Sequence, residues 1–267
     1  MNFSAIPARS LVGTLLRLPL KLIPRGASMR VLQGPLRGRR WIAGASNHSC
    51  WLGCYEVSKQ QQLQRLVRPG DVVYDLGANA GYFSLMCSVL TGRDGRVVCF
   101  EPLPENILLL NRHLTMNGIR NCTVVEAAVT DHEGTGRFLV VEASRSQGRL
   151  ENSGEHVLNP LAVRIVSLDG MVTRGEVPPP AVIKCDVEGA EMDVLRGAST
   201  VLQTYHPAIL LDRHCEESQA ACGLLEDLGY ELTALDGLPL LESGELLAIW
   251  RGTLSADAAG RSLERTT

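Results

Sequence analysis

Aromatic residues are scarce in this chain: three Trp, five Tyr and four Phe make up 4% of 267 residues. So few rings leave little to stack against unpaired bases. No Asn-Pro-Pro-Tyr-like base pocket occurs either, and a nucleic-acid acceptor is not expected. Eight cysteines are present, yet none forms a Cys-x-x-Cys pair. Cys50 and Cys54 have His48 nearby, but no second pair of ligands follows at zinc spacing. No metal site is expected. Thiols set in apolar runs fit a reducing cytoplasm. The apolar stretch from Ser10 to Ile23 is interrupted by Arg17 and Lys21. It is too short and too charged to span a bilayer, and no convincing secretory signal is present.

Acidic residues are missing from one end. Residues 1–55 contain no Asp or Glu, but carry Arg9, Arg17, Lys21, Arg25, Arg30, Arg37, Arg39 and Arg40. The net charge of -3 therefore belongs to a clearly acidic remainder. A basic end on an acidic body suggests an anionic partner such as phospholipid, a phosphorylated carrier or nucleic acid. A solvated basic surface is the plainer alternative. The leucines between residues 11 and 22 with those cations suit an interfacial amphipathic helix or a helix docked on the domain. Pro7, Pro19 and Pro24 argue against one long helix. The expected localisation is cytoplasmic, with a peripheral membrane contact through the basic N-terminus.

What the chain does have is alternation. Val72–Leu76, Arg96–Phe100, Cys122–Val125, Ala181–Cys185 and Ala208–Leu211 read as short buried strands. Helical patterns separate them at Tyr82–Leu90, from Pro104 to Gly118, at Glu191–Leu202 and at Ser218–Leu228. Arg164–Leu168 is strand-like, and Glu142–Glu155 reads as a mobile loop or a hairpin insertion. Tyr230–Leu235 and Glu245–Trp250 pair as a terminal antiparallel hairpin. Strand–helix alternation of this kind predicts an α/β fold with a mostly parallel sheet and helices on both faces. Ligands then bind beyond the carboxyl ends of the strands. The expected division is a basic extension at 1–45, one domain at 46–253 and a flexible tail at 254–267.

The residues with chemistry stand at those strand ends. Asp75-Leu76-Gly77-Ala78-Asn79-Ala80-Gly81 follows a strand and precedes a helix. Gly77 permits a tight turn, and Gly81 permits close approach of backbone to a ligand. The spacing is not that of a dinucleotide fingerprint, and the leading carboxylate repels a pyrophosphate. It suits a sulfonium or an α-ammonium group. Glu101, before Pro102, is placed to accept both hydroxyls of a ribose. Ala127 and Ala128 leave room for a flat ring, while Glu126 and Asp131 are candidates for its polar edge. Lys184-Cys185-Asp186-Val187-Glu188-Gly189-Ala190-Glu191 puts three acids and a lysine on one rim. Lys184 sits in an apolar run and needs a carboxylate partner. Capping of the next helix is the alternative role for Glu188 or Glu191.

These segments resemble the FkbM-type methyltransferases. The resemblance rests on Asp75 to Gly81, Phe100-Glu101-Pro102, and Lys184 to Glu191 with Leu195-Arg196-Gly197-Ala198. Gly53-Cys54-Tyr55-Glu56 resembles the family's entry motif, and Val166-Ser167-Leu168-Asp169 its short strand before the fourth motif. It covers about residues 50–213. Asp212, in Leu211-Asp212-Arg213-His214, departs from the Glu more usual there. The resemblance implies a Rossmann-like class I methyltransferase fold with a seven-stranded sheet and S-adenosyl-L-methionine as donor. The acceptor is then a hydroxyl of a sugar, glycolipid or secondary metabolite, free or carrier-linked. Expected cofactor contacts are Glu56, Asp75, Gly77, Asn79, Gly81, Glu101, Pro102, Ala128 and Asp186. Expected catalytic residues are Asp186 or Glu188 as base, with Lys184 anchoring them or stabilising a developing alkoxide. Asp212 and His214 are further base candidates, and a divalent ion on Asp186, Glu188 and Glu191 is the less favoured arrangement. A nucleotide-dependent oxidoreductase and a non-catalytic cofactor-binding module are the rival readings.

Overall fold

The computed structural model describes residues 19–140, 148–150, 161–214 and 218–253. In chain order these form β1 (Ser28–Arg30), β2 (Arg40–Ile42), α1 (Ser49–Leu52), α2 (Val57–Leu66), β3 (Val72–Leu76), α3 (Tyr82–Thr91), β4 (Arg96–Phe100) and α4 (Pro104–Met116). Next come β5 (Cys122–Val125), β6 (Ala128–Val129), β7 (Gly134–Val140), β8 (Gly148–Leu150), β9 (Leu161–Val166), α5 (Leu168–Thr173) and β10 (Val182–Cys185). The remainder are α6 (Glu191–Arg196), α7 (Ser199–Tyr205), β11 (Ala208–Asp212), α8 (Ser218–Asp227), β12 (Tyr230–Ala234) and β13 (Glu245–Trp250).

The main sheet has seven strands in the order β12-β13-β11-β10-β3-β4-β5. β13 runs antiparallel to both β11 and β12, and the other pairings are parallel. This is the class I methyltransferase arrangement: a doubly wound parallel sheet closed by one reversed strand. Its central strands are covered on both faces, which is why they read as continuous apolar runs rather than as alternating ones. Successive side chains still point to opposite faces. Tyr74, Leu76, Ile183, Cys185, Ile209 and Leu211 pack under α6, α7 and α8. Val73, Val97, Cys99, Val182 and Leu210 pack with Leu63, Met86, Leu110 and Trp41 on the other face. α3 is buried almost all round, from Tyr82 to Ser88, as befits a helix of mainly apolar residues lying against a sheet.

Three sequence expectations need correction. Residues 28–45 are not an extension: Val31, Leu36, Trp41, Ile42 and Ala45 belong to the second core. Their apolar side chains need that cover, and the arginines between them disguise it. Glu191–Leu202 is two helices, because Gly197 lies hard against the loop after β6. A Cβ there would sit 2.0 Å from the Thr130 carbonyl oxygen, and the Gly197 carbonyl accepts the Asp169 N–H at 2.8 Å. Gly197→Ala is expected to lower the unfolding free energy by about 1–3 kcal/mol. A lower urea midpoint at unchanged slope would register it. Leu168 begins α5 instead of ending a strand; the Ser167 hydroxyl caps it by accepting the Gly170 N–H at 3.2 Å. Of the two readings of the 142–155 insertion, the described part is the hairpin, with β8 antiparallel to β7 beside β9 and β6. The rest of that insertion, most of the 10–23 stretch, and the 254–267 tail lie outside the described residues.

Candidate active site

A cleft runs along the carboxyl ends of the strands, lined by residues from β11, β10, the turn after β3, β4 and the segment after β5. Neighbouring strands are about 4.8 Å apart, so the tips of β4 and β11 stand roughly 14 Å apart across the sheet. That span accommodates an elongated nucleoside ligand with a second reactant beside it.

Glu101 marks one end. It is 4% exposed. Its Oε2 accepts the Asn79 N–H at 2.8 Å, and its Oε1 accepts the Leu103 N–H at 3.0 Å and the Asn106 amide at 3.1 Å. Burial pushes its pKa up against these hydrogen bonds. Asn79 reaches this bond because its backbone is left-handed, with φ 51°, a conformation that asparagine tolerates. Ala127, Ala128, Phe138, Leu103 and Pro102 complete an apolar slot next to it. Glu126 and Asp131 are exposed and lie off the cleft wall.

Asp75 is not where the sequence reading put it. It is 0% exposed, lies beneath the glycine turn and is not among the residues that line the cleft. Its cross-strand partner in the β3–β10 register is Lys184, and the two ions are 3.2 Å apart. The other oxygen accepts the Ser84 hydroxyl at 2.6 Å. Lys184 in turn donates to the Leu76 and Gly77 carbonyls at 3.2 and 2.9 Å, and stands 3.6 Å from Asp186. Two backbone hydrogen bonds and two ion pairs already engage the ammonium, so little of Lys184 is left for an alkoxide. Burial alone would depress Lys184, but Asp75 and Asp186 hold its pKa above the ordinary lysine value. Both are positioning residues that bind the turn after β3 to the end of β10. Gly81 also differs: a Cβ there would collide with Leu110 of α4 at 2.3 Å, so its close approach is to a helix and not to a ligand. Gly77 does line the cleft, and a Cβ on it would lie 1.8 Å from the Asp186 carbonyl oxygen.

The other end is acidic. Asp186, Glu188, Asp212, Glu56 and Glu245 line it together with Lys59 and His214. Lys59 of α2 is 3% exposed and bridges Asp212 at 2.7 Å and Glu56 at 2.6 Å. Burial works against its charge, but Asp212 and Glu56 raise its pKa. Burial and the nearby Asp186 push Asp212 up to about 7. Asp186 goes the other way: burial is outweighed by Lys184, Lys59 and His214, which hold it low. The His214 Nδ1 lies 2.8 Å from Glu191 Oε1, and its Nε2 faces Asp186 at 3.5 Å and Glu188 at 3.7 Å. Glu191 leads the acids that push its pKa up to about 9. Glu188 takes a left-handed backbone, φ 54°, as the chain turns from β10 into α6.

Lys59, Asn106, Phe83 and Phe138 were not singled out from the sequence. Lys59 stands in Val57-Ser-Lys-Gln-Gln-Gln-Leu-Gln-Arg-Leu66, which reads as a solvated helix face. The one available signal was its i,i+3 spacing from Glu56.

A family model, the methyltransferase FkbM domain, matches residues 75–232. The chain belongs to this family. The matched stretch carries Glu101, Asp186, Glu188, Asp212 and His214, while Lys59 and Glu56 precede it. A hexuronic acid methyltransferase from Haloferax volcanii is 31% identical over 144 residues, 52% of this chain and 55% of that protein. The chain thus spans about half the length of the curated relative it matches. A crystal structure of an FkbM methyltransferase from Methylobacillus flagellatus is 16% identical, with a TM-score of 0.48 over 76% of this chain and 55% of that one. An Aeropyrum pernix fibrillarin with natively bound S-adenosyl-L-methionine scores 0.43 at 16% identity, over 68% of this chain and 67% of its own. Likenesses of this size carry no argument about function; the assignment rests on the family match.

Proposed function

We propose that this FkbM-family protein is an S-adenosyl-L-methionine-dependent O-methyltransferase acting on a hydroxyl of a sugar, free or carrier-linked. One observation carries the reading: a ribose-type carboxylate, Glu101, and an acid near neutral pKa, Asp212, line one cleft from strand tips about 14 Å apart. The residues present fit the donor. Glu101 is buried and fixed by three N–H groups, as a carboxylate must be to meet two ribose hydroxyls. The Ala127–Ala128 slot takes a flat base, and the acidic far end favours a cationic sulfur. When bound, that donor supplies an electrophilic methyl group.

The chain's own part is alignment and proton management. Glu56, Asp186 and Glu188 accept hydrogen bonds from the acceptor's hydroxyls. Oδ2 of Asp212 is held by Lys59. Its Oδ1 receives the acceptor's proton as the oxygen takes the methyl group. Asp186 is the poorer base because its neighbours keep it ionised, so the catalytic assignment moves one strand along. Haloferax hexuronic acid methyltransferase supports a sugar as acceptor class, and the shortage of rings disfavours a nucleic acid. Among the described residues no helix is long and apolar enough to cross a membrane; we assign the basic N-terminal segment a peripheral membrane contact.

A base with pKa about 7 must be deprotonated to act, so kcat/KM should fall about tenfold per pH unit below pH 7. Asp212→Asn should flatten that limb and lower turnover about a hundredfold or more, with donor affinity retained. Transfer of labelled methyl to a panel of neutral and uronic glycosides would read both. An unchanged pH limb in Asp212→Asn would rule this base out.

A further inference from the structure

The N-terminal hairpin carries charge that the cleft does not use. β1 and β2 pair Ser28 with Ile42, Met29 with Trp41, and Arg30 with Arg40. Directly opposed side chains have Cβ atoms about 5 Å apart, and like charges placed so repel. Folding has nonetheless set two arginines opposite each other on the exposed side of this ribbon. Arg37 is exposed in the connecting segment, and Arg25 is exposed just before β1. Arg30 donates to the Gly38 carbonyl at 3.2 Å. None of the four forms an ion pair with a described carboxylate, and the first acid in the chain is Glu56. Two leucines of the same stretch are also exposed: Leu32, two residues after Arg30 and so on the same side of the extended chain, is 56% exposed, and Leu22, before β1, is 83% exposed.

We infer that this ribbon docks on an anionic phospholipid surface, with phosphate groups seated between Arg30 and Arg40 and Leu22 and Leu32 entering the interface. The inference deepens the peripheral-membrane reading above and stands independently of methyl transfer. A phosphate between the two guanidiniums turns their repulsion into two charge-assisted bonds. Leucines next to cations are what an interfacial contact needs in addition to charge. A soluble polyanion would satisfy the arginines but leave both leucines in water. Trp41, the residue after Arg40 and so on the opposite face of the ribbon, lines the cleft, so docking holds the cleft behind the ribbon, on the lipid-bound side of the molecule, and favours a lipid-carried sugar as acceptor.

The test is co-sedimentation of the full chain with phosphatidylcholine vesicles, with and without one third phosphatidylglycerol. Binding is expected to the mixed vesicles and not to phosphatidylcholine alone. Arg30→Gln with Arg40→Gln should weaken it about thirtyfold, two arginines at about 1 kcal/mol each. Leu22→Ser with Leu32→Ser should weaken it further at fixed charge. Both pairs are exposed, and a thermal melt checks that each variant folds. Titration with S-adenosyl-L-methionine, expected to be unaltered in both variants, reads the methyl-transfer proposal separately. Unchanged partitioning of the arginine variant, equal binding to neutral vesicles, or release by millimolar inorganic phosphate or a short RNA that itself binds more tightly would overturn the inference.

Discussion

Glu101→Gln is expected to raise the dissociation constant for S-adenosyl-L-methionine a hundredfold or more while the protein stays folded. The carboxylate is proposed to take both ribose hydroxyls, and hydrogen bonds to a charged group contribute about 1.5–3 kcal/mol each. Losing the charge at both costs about 3 kcal/mol or more, and 1.4 kcal/mol is a factor of ten. Glutamine keeps the shape, and its remaining oxygen can still accept from the chain. Its amide nitrogen, however, turns a donor toward one of the N–H groups of Asn79, Leu103 or Asn106, so a modest loss of stability accompanies the loss of affinity. Calorimetric titration reads the affinity and a thermal melt reads the fold. Affinity within threefold of the parent, with the fold intact, would show that the ribose is held elsewhere and would undo the cofactor proposal. NADH in the same titration separates the oxidoreductase alternative, since it should not bind.

The second large effect concerns stability. Lys184→Met strands Asp75, a carboxylate with no exposure and, among the described residues, no other cation at its side. Removing one partner of a buried pair costs about 3–5 kcal/mol. In a chain of this size that lowers the melting temperature by roughly 10 °C. Asp75→Asn in the same chain removes the orphaned charge and should restore much of the loss. The two backbone carbonyls that Lys184 holds, on Leu76 and Gly77, would still lack their donor, so recovery should be incomplete and donor affinity should remain reduced. If the double variant melted no higher than Lys184→Met alone, the Asp75–Lys184 attraction would not be what holds the turn.

Much of this could be read from residue order. Continuous apolar runs at 72–76, 96–100 and 182–185 mark strands buried on both faces, and a glycine turn or an acid directly after each marks the edge where ligands bind. Those are local patterns, set by periodicity and by what glycine and proline permit, and they place Glu101, Asp186, Glu188 and the terminal hairpin without any knowledge of contacts. They even require a partner for Lys184, because a lone ammonium cannot rest among Val182, Ile183 and Cys185.

Which partner it takes is a matter of register, and register is not local. Side chains alternate along β3 and β10, so one residue of slippage would turn Asp75 into the opposite core and leave Lys184 unpaired. The observed pairing places the two opposite each other beneath the turn, and Asp75 becomes a support where the sequence suggested a ligand contact. Lys59 is the converse case. Among glutamines it looks solvated, and α2 alone does not bury it. Burial comes from packing α2 over the tip of β11, 153 residues further along the chain, where burial and Asp186, against the pull of Lys59, lift the Asp212 pKa. The sequence by itself determined the fold class, the cleft's edge and its acidic character. The tertiary structure alone decided which acids face the cleft and which are neutralised beneath it, because a carboxylate's role depends on the charges and the water around it, and distant segments supply both.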